Sequence, residues 1–241
     1  MKKRLLATIS DDVQNLFGVQ FICSFFQEVT DLSVTLLHIC RTGSNMKQEL
    51  SKMWQGPEGS QTCDIGPSAR MSINRSLELL AEQRLPVSQM LTKVLDEKHG
   101  MVRDILAEGH EGLYDAIVLG RRGSYALQWF FERPAEEIAE AMITEKSFTV
   151  PLWICLHAEK PRKHVLACLD GSENSLRAVD HAGFIIADQA QQNVTLFSTS
   201  SVDESVRERC FGEAVKILKD HGIAEERISQ RVSGGTNVSA A

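Results

Sequence analysis

Short apolar segments alternate with longer amphipathic segments along most of the chain. In the first two thirds, the apolar segments predict strands near residues 5–9, 34–39, 88–95, 116–119 and 148–155. Apolar residues at helical spacing predict helices over residues 13–28, 68–82, 101–108 and 135–144. This alternation predicts an α/β fold with a doubly wound parallel sheet. The Gly, Pro, Ser and Gln content of residues 43–67 predicts an exposed insertion.

The chain also contains an internal repeat. The segment KRLLATI at residues 3–9 aligns with KHVLACL at residues 163–169, and VTLL at 34–37 aligns with VTLF at 194–197 at the same offset. The second copy has predicted strands at 165–169, 194–198 and 227–232 and predicted helices at 173–189 and 205–221. We therefore predict two tandem domains, residues 1–157 and residues 163–241, of which the second stops after its third strand.

Composition narrows the class of protein. The 241 residues are 43% hydrophobic and carry a net charge of −6, so a buried core is expected and no basic field attracts nucleic acid. The N-terminal apolar run meets Ser10, Asp11 and Asp12 too soon for an export signal. Because a membrane-spanning helix needs about 18 or more apolar residues in succession, we expect a cytoplasmic protein without membrane contact.

One glycine-bearing turn is a candidate ligand site. The buried strand at 116–119 runs into Gly120, Arg121, Arg122, Gly123 and Ser124. At the carboxyl end of a strand, glycines let the backbone approach a phosphate and leave amide groups free to donate to it. The same spacing is also typical of a plain tight turn, so the pattern alone leaves both interpretations open.

On these segments the chain resembles the universal stress protein family in its tandem form. The resemblance implies a Rossmann-like fold of the adenine nucleotide alpha hydrolase type, with ATP or another adenine nucleotide as ligand. The family has an aspartate after its first strand, matched here by Asp170, which precedes Gly171 and Ser172. It also has a signature, Gly-x2-Gly-x9-Gly-Ser/Thr, whose first half matches Gly120 and Gly123. The resemblance implies that the aspartate faces adenine and ribose and that the signature holds the phosphates.

Both copies depart from the family pattern. The first copy has Ser10 where the second has Asp170, and Arg133 and Pro134 replace the last two residues of the signature. The second copy has no glycine signature. The resemblance therefore implies a degenerate nucleotide site in the first copy. Asp170 and Ser172 are also favoured residues at the start of a helix, so a capping role stands beside the ligand role.

Neither a catalytic nor a metal site is predicted. Asp11 and Asp12 are better explained as a helix cap than as a metal pair, and Cys155 with His157 lacks a further ligand. The leading hypothesis is a non-enzymatic regulatory module of the universal stress type that self-associates through its paired domains. Its alternatives are a slow ATP-hydrolysing enzyme and a ligand-free protein–protein interaction module. We also expect the two copies to pack as a pseudo-twofold pair.

The altered signature generates a prediction about affinity. Pro134 has no amide to donate, and Arg133 brings a side chain where glycine allows the closest approach, although its guanidinium can pair with phosphate. Each lost hydrogen bond to a charged ligand costs about 1.5–3 kcal/mol, or roughly ten- to a hundredfold in affinity. We expect calorimetry on the first copy to show weak ATP binding, improved by the double change Arg133→Gly and Pro134→Ser. Low-micromolar binding that the double change leaves unimproved contradicts this.

Overall fold

The computed structural model describes residues 2–40, 65–120, 150–155 and 162–233. The chain divides into two compact units, Met1–Lys160 and Pro161–Ala241. The predicted helix at 135–144 and almost all of the predicted insertion at 43–67 lie outside the described residues.

The first unit contains a parallel sheet of five described strands. Its described elements are β1 (Lys3–Thr8), α1 (Phe17–Phe25), β2 (Leu32–Cys40), α2 (Pro67–Glu82), β3 (Met90–Asp96), α3 (Met101–Glu111), β4 (Ala116–Gly120) and β5 (Leu152–Cys155). The strand order is β3-β2-β1-β4-β5, with every pair parallel. This confirms the predicted α/β fold with a parallel sheet. All nine residues of β2 are buried, as expected for an inner strand covered on both faces.

Different side chains cover the two faces of this sheet. On one face, Ile105 and Leu106 of α3 join a buried cluster that includes Leu6, Leu37 and Ile117, one from each of β1, β2 and β4. On the other face, three aromatic residues at the end of α1 surround Trp153 of β5, with ring centroids 6.0 to 6.3 Å apart: Phe21, Phe25 and Phe26. The sheet is therefore packed on both sides.

The buried carboxylate of Glu108 links α3 to the sheet through an ion pair. The side chain of Glu108 is 5% exposed and forms an ion pair with Lys93 of β3. Its Oε1 atom also accepts a hydrogen bond of 3.1 Å from the hydroxyl of Tyr114. Burial is the largest cause of a raised pKa at Tyr114, which keeps this hydroxyl protonated as a donor. The charge of Glu108 is thus held by one cation and one hydroxyl.

The second unit contains a parallel sheet of three described strands. Its elements are β6 (His164–Leu169), α4 (Glu173–Ile186), β7 (Asn193–Thr199), α5 (Glu204–Asp220) and β8 (Ile228–Ser233), and the strand order is β6-β7-β8. Asp203 is the N-cap of α5, and its Oδ1 atom accepts hydrogen bonds from the amides of Ser205 and Val206.

The first three strands of each unit pair in the same register. Leu5 of β1 lies opposite Val34 of β2, and the aligned residues Val165 and Val194 lie opposite each other in β6 and β7. The third strand follows the same rule, since Val34 pairs with Met90 and Val194 pairs with Ile228. The aligned residues of the repeat therefore occupy equivalent positions in the two sheets.

Most differences from the predicted elements are at their ends. The first helix starts later than predicted, because a turn fixed by side-chain hydrogen bonds fills residues 10–15. It also ends earlier, at Phe25, because the backbone is extended at Phe26. Residues 88 and 89, predicted as strand, belong to a 3-10 helix at Val87–Gln89 that follows Pro86. In the second unit, residue 227, also predicted as strand, ends a 3-10 helix at Glu225–Arg227.

The ion pair under α3 generates a prediction about stability. The change Lys93→Met leaves the buried carboxylate of Glu108 with only the Tyr114 hydroxyl among its described partners. Since Lys93 is itself half exposed, we expect a loss of about 1–3 kcal/mol of stability rather than the larger cost of a fully buried pair. Urea unfolding followed by circular dichroism measures this.

The matched control for that prediction is the double variant Lys93→Met with Glu108→Gln. It removes the buried charge while the glutamine side chain still accepts from the tyrosine hydroxyl, so most of the lost stability should return. If the single and the double variant both unfold at the same urea concentration as the unaltered protein, the ion pair does not stabilise the packing of α3.

Candidate functional site

The candidate site lies where the strand order of the first sheet reverses. Chain order runs outward from β1 to β2 and β3 on one side and continues with β4 and β5 on the other. In open parallel sheets such a reversal of strand order marks a ligand-binding crevice, which here falls at the carboxyl ends of β1 and β4. Of the residues predicted for the site, Ser10 follows β1 and Gly120 ends β4, so both lie at this edge.

The start of α1 lies directly against the end of β4. A Cβ atom added to Gly120 would stand 3.2 Å from the amide nitrogen of Gly18, and one added to Gly18 would stand 3.6 Å from the carbonyl oxygen of Val118. Glycine at both positions permits this close approach of two backbones. Leu16, at the N-cap position of α1, makes no side-chain cap. An uncapped helix start at a strand edge is a favourable place for an anion.

Side-chain oxygens fix the loop between β1 and α1. The hydroxyl of Ser10 accepts a hydrogen bond of 3.3 Å from the amide of Asp12. The carboxylate of Asp12 accepts from the amide of Gln14 at 2.9 Å and from the side-chain amide of Asn15. The expectation that Asp12 caps the helix is therefore wrong: its bonds close a turn that ends before α1 begins at Phe17.

His38 also lies at this edge, although no pattern in the sequence predicted it there. It is 7% exposed, and its Nδ1 atom donates to the carbonyl oxygen of Ile9 over 3.0 Å. Its other ring nitrogen, Nε2, lies 3.6 Å from Oδ1 of the exposed Asp11. Such a pair can hold or transfer a proton beside a ligand. The available signal was an ionisable residue two positions before the end of β2, whose other residues are uncharged.

The matching loop of the second unit has the same first hydrogen bond. Oδ1 of Asp170 accepts from the amide of Ser172 over 2.9 Å, as Ser10 accepts from Asp12 in the first unit. Ser172 then caps α4 by accepting from the amide of Ser175 at 3.2 Å. Hydrogen bonds from Ser172, first from its side chain, lower the pKa of Asp170. Ser172 is therefore the cap of α4, as the capping interpretation predicted, whereas Asp170 fixes the loop before the cap. A ligand role for Asp170 stays a prediction.

The predicted site residues fall into three groups. Ser10 and Gly120 lie at one edge of the first sheet, whereas Asp170, Gly171 and Ser172 follow β6 in the second unit. The others lie outside the described residues: Arg121, Arg122, Gly123, Ser124 and Arg133.

Within the described part of the chain, no cluster of three or more His, Cys, Asp or Glu side chains is arranged to hold a metal ion. Burial raises the pKa of Cys155 to about 12, so this thiol is protonated at neutral pH and is a poor metal ligand. None of the described helices has the length and apolar character that crossing a membrane requires.

Gly171 generates a prediction about the second unit. Its φ is +87°, and an added Cβ would stand 2.6 Å from Cγ1 of Val206. We expect Gly171→Ala to destabilise the protein by about 1–3 kcal/mol, because the backbone conformation and the packing both oppose the methyl group. The control is Gly212→Ala in α5, where an added Cβ meets nothing within 4 Å. There we expect a gain of about 0.5–1 kcal/mol. Equal thermal shifts for the two variants would mean that neither the positive φ nor the contact with Val206 opposes a side chain at Gly171.

Comparisons with known proteins agree with this architecture. No protein-family model and no curated protein matches the sequence. Among solved structures, a universal stress protein from Archaeoglobus fulgidus DSM 4304 aligns with 97% of this chain and 79% of its own, at a TM-score of 0.60 and 16% identity. A putative universal stress protein from Pseudomonas aeruginosa UCBPP-PA14 aligns with 96% of this chain and 74% of its own, at 14% identity and a TM-score of 0.46, which is too low to define a shared fold. On the first of these likenesses, the chain has the fold of a universal stress protein.

Proposed function

We propose that the protein is a non-enzymatic regulatory module of the universal stress type, which acts in a stress response and binds an adenine nucleotide weakly at the crevice of the first sheet. The observation that carries this proposal is the meeting of the end of β4 with the start of α1 at the point where the strand order reverses. Parallel α/β sheets bind ligands at such crevices, and backbone amides there suit phosphate.

The local chemistry supports weak rather than tight binding. The resemblance implies an aspartate beside adenine and ribose, but Ser10 occupies this position. Its hydroxyl already accepts a hydrogen bond from the amide of Asp12. The nearest carboxylate on the same loop, Asp11, faces His38 at 3.6 Å. A neutral hydroxyl makes a weaker hydrogen bond to a ribose hydroxyl than a carboxylate does. In the proposed complex, backbone amides bind the phosphates of the nucleotide, and such amides do not require a particular side chain.

One observation favours the alternative of slow ATP hydrolysis. A water molecule that attacks a phosphate needs a group to orient it or take its proton, and the pair of His38 and Asp11 lies at the same edge. The buried His38 ring is, however, held by the carbonyl oxygen of Ile9 within the sheet. In the proposed regulatory module, His38 is therefore a polar residue that lines the crevice. In a slow ATP hydrolase, it would be the candidate general base.

Mass spectrometry of small molecules released from denatured, freshly purified protein distinguishes these functions. A co-purified adenine nucleotide, together with saturable ATP binding in calorimetry, supports the proposal. Nucleoside diphosphate that accumulates with time, and that His38→Gln abolishes, supports the hydrolase. An empty protein with no measurable heat of ATP binding supports the ligand-free interaction module and contradicts the proposal.

Gly120 generates the direct test of the site. In Gly120→Ala the new methyl group would crowd the amide of Gly18 at 3.2 Å and separate the two backbones that form the crevice. We expect ATP affinity to fall about tenfold or more, which corresponds to the loss of at least one charge-assisted hydrogen bond. Calorimetry on the full chain measures this change.

The control for this test is Gly66→Ala, also in the first unit, where an added Cβ meets nothing within 4 Å. Its ATP affinity should equal that of the unaltered protein. If Gly120→Ala keeps its fold by circular dichroism and binds ATP as tightly as the control, the nucleotide is not held at this crevice.

A further inference from the structure

The ring of His38 contacts two points of the chain segment that follows β1. Its Nδ1 atom donates to the carbonyl oxygen of Ile9 over 3.0 Å and so joins the end of β2 to the end of β1. Its Nε2 atom lies 3.6 Å from Oδ1 of Asp11, which is longer than a hydrogen bond. The two contacts differ in kind, because the first is a formed bond and the second is a juxtaposition of two ionisable groups.

The second unit keeps the first contact and lacks the second. Ser198 aligns with His38, and its buried hydroxyl donates over 2.8 Å to the carbonyl oxygen of Leu169, which aligns with Ile9. The residue aligned with Asp11 is a glycine. A hydroxyl therefore suffices to join the two strand ends. The imidazole that faces a carboxylate is an addition of the first unit, and the shared architecture does not require it.

The bond to Ile9 determines which nitrogen of the neutral ring has the proton. A carbonyl oxygen can only accept, so Nδ1 is protonated and Nε2 of a neutral imidazole has a lone pair. This lone pair faces the carboxylate of Asp11, which also only accepts when it is ionised. The two groups therefore do not bond while the ring is neutral. A proton on Nε2 gives the ring a second donor and a positive charge, and a bond to Asp11 can then form.

The elements packed around His38 bring few charges to it. Its neighbours in β2 face the cluster beneath α3, so strand alternation places His38 on the side of α1 and α2. No residue of α1 is charged. The charged residues of β1 and β3 and most of those of α2 lie further toward the amino end of the strands or on the side of α3: Lys3, Arg4, Lys93, Arg75, Glu78 and Glu82.

Four charged residues remain at the carboxyl end of these elements. Arg70 is in the first turn of α2, and its Nε atom donates to a backbone carbonyl. Asp96 ends β3, opposite the last residue of β2. The carboxylate of Asp12 closes its own turn. Among the described residues, Asp11 is the one whose charge lies beside a ring nitrogen of His38.

We propose that His38 and Asp11 form a proton-dependent ion pair that regulates the crevice. At acidic pH the protonated ring binds Ile9 and Asp11 together and holds the loop after β1 against the end of β2. The positive charge on the ring also compensates the charge of Asp11, which favours an anionic ligand at this edge. Nucleotide affinity therefore rises as the pH falls. The effect on the nucleotide rests on the proposed function, whereas the ion pair itself does not.

The burial of the two side chains suits this regulation. His38 is 7% exposed and its ring is fixed by the bond to Ile9, so a charge on it lacks water and gains from a partner. The side chain of Asp11 is 73% exposed and makes no hydrogen bond among the described residues. Asp11 can therefore move toward the ring without breaking another contact, and the loop moves with it.

Hydrogen exchange of the full chain without nucleotide tests the ion pair. The fragment is residues 9–16, followed by mass spectrometry in the unaltered protein and in Asp11→Ala at about pH 5.5 and about pH 7.5, on either side of the usual titration of histidine. At the acidic pH we expect the fragment to exchange several-fold more slowly in the unaltered protein than in the variant. At the higher pH the two should be equal. Comparison at one pH removes the pH dependence of exchange itself.

Two controls make the result specific to the protonated ring. In His38→Asn the side-chain amide can still donate to Ile9 but does not take up a proton, so adding Asp11→Ala to it should leave exchange unchanged at both pH values. The loop at residues 169–175 of the second unit should exchange alike in every variant, since Ser198 supplies its contact to β7. Because Asp11 is exposed, its variant decides the question even if His38→Asn does not fold by circular dichroism.

Calorimetry with ATP tests the regulation. A terminal phosphate also takes up a proton in this range, so the quantity compared is the ratio of the ATP affinities of the unaltered protein and His38→Asn at the same pH. We expect this ratio to rise several-fold between about pH 7.5 and about pH 5.5, because only the unaltered protein gains a charge beside the crevice.

Three outcomes overturn the proposal or part of it. Loop exchange that Asp11→Ala leaves unaltered at the acidic pH, or alters equally at both pH values, overturns the ion pair. An affinity ratio that does not change with pH overturns the regulation. If the exchange results show the ion pair but the protein has no measurable ATP affinity, the proposed function and the regulation both fail while the ion pair stands.

Discussion

The requirement that a parallel sheet be covered on both faces governs this structure. Parallel strands are joined by crossover helices, and their inner strands are apolar on both sides, so each face needs its own layer of side chains. The first unit meets this requirement with the aromatic end of α1 on one face and the aliphatic residues of α3 on the other. Glu108 lies within the second layer, where Lys93 and Tyr114 compensate for the burial of its charge.

The same requirement determines where a ligand can enter. Ligands of open parallel sheets bind beyond the carboxyl ends of the strands, at the point where the strand order reverses, which here is between β1 and β4. Gly18 and Gly120 bring helix and strand backbones together at that point. The polar residues on the edge are engaged with one another, Ser10 with Asp12 and His38 with Ile9. The proposed ligand would therefore depend on backbone groups more than on these side chains.

The sequence predicted the fold well because its strongest signals come from burial. The apolar runs and the repeat identified every described strand. The inner strands gave the clearest signal, because a parallel strand in the middle of a sheet is buried on both faces. Helix ends were less predictable. The turn that delays α1 depends on Asp12 bonding to Gln14 and Asn15, and a sequence pattern does not distinguish such a turn from a helix cap.

Site residues were the least predictable part. Ser10 and Gly120 could be placed at one edge, because the ends of neighbouring parallel strands meet there. His38 was missed because an isolated histidine in a buried strand has no pattern of its own, and its relation to Asp11 arises only when β1 and β2 pair. Contacts between residues distant in sequence carry most of the site's chemistry, and a single sequence does not reveal them.

The shared register of the two sheets has a consequence for how a tandem chain folds. A strand of one unit has the length and pairing pattern to enter the sheet of the other, which is the usual route to misassembly in duplicated proteins. The two units have different polar residues at one pair of aligned positions, and this difference opposes the exchange of strands. In β6, His164 begins a hydrogen-bonded row through Thr195 to Ser229 that crosses three strands. The aligned residue in β1, Arg4, instead lies over the ring of Tyr114. A strand in the wrong sheet would lose these contacts. The different polar residues at equivalent positions therefore favour pairing of each strand within its own unit.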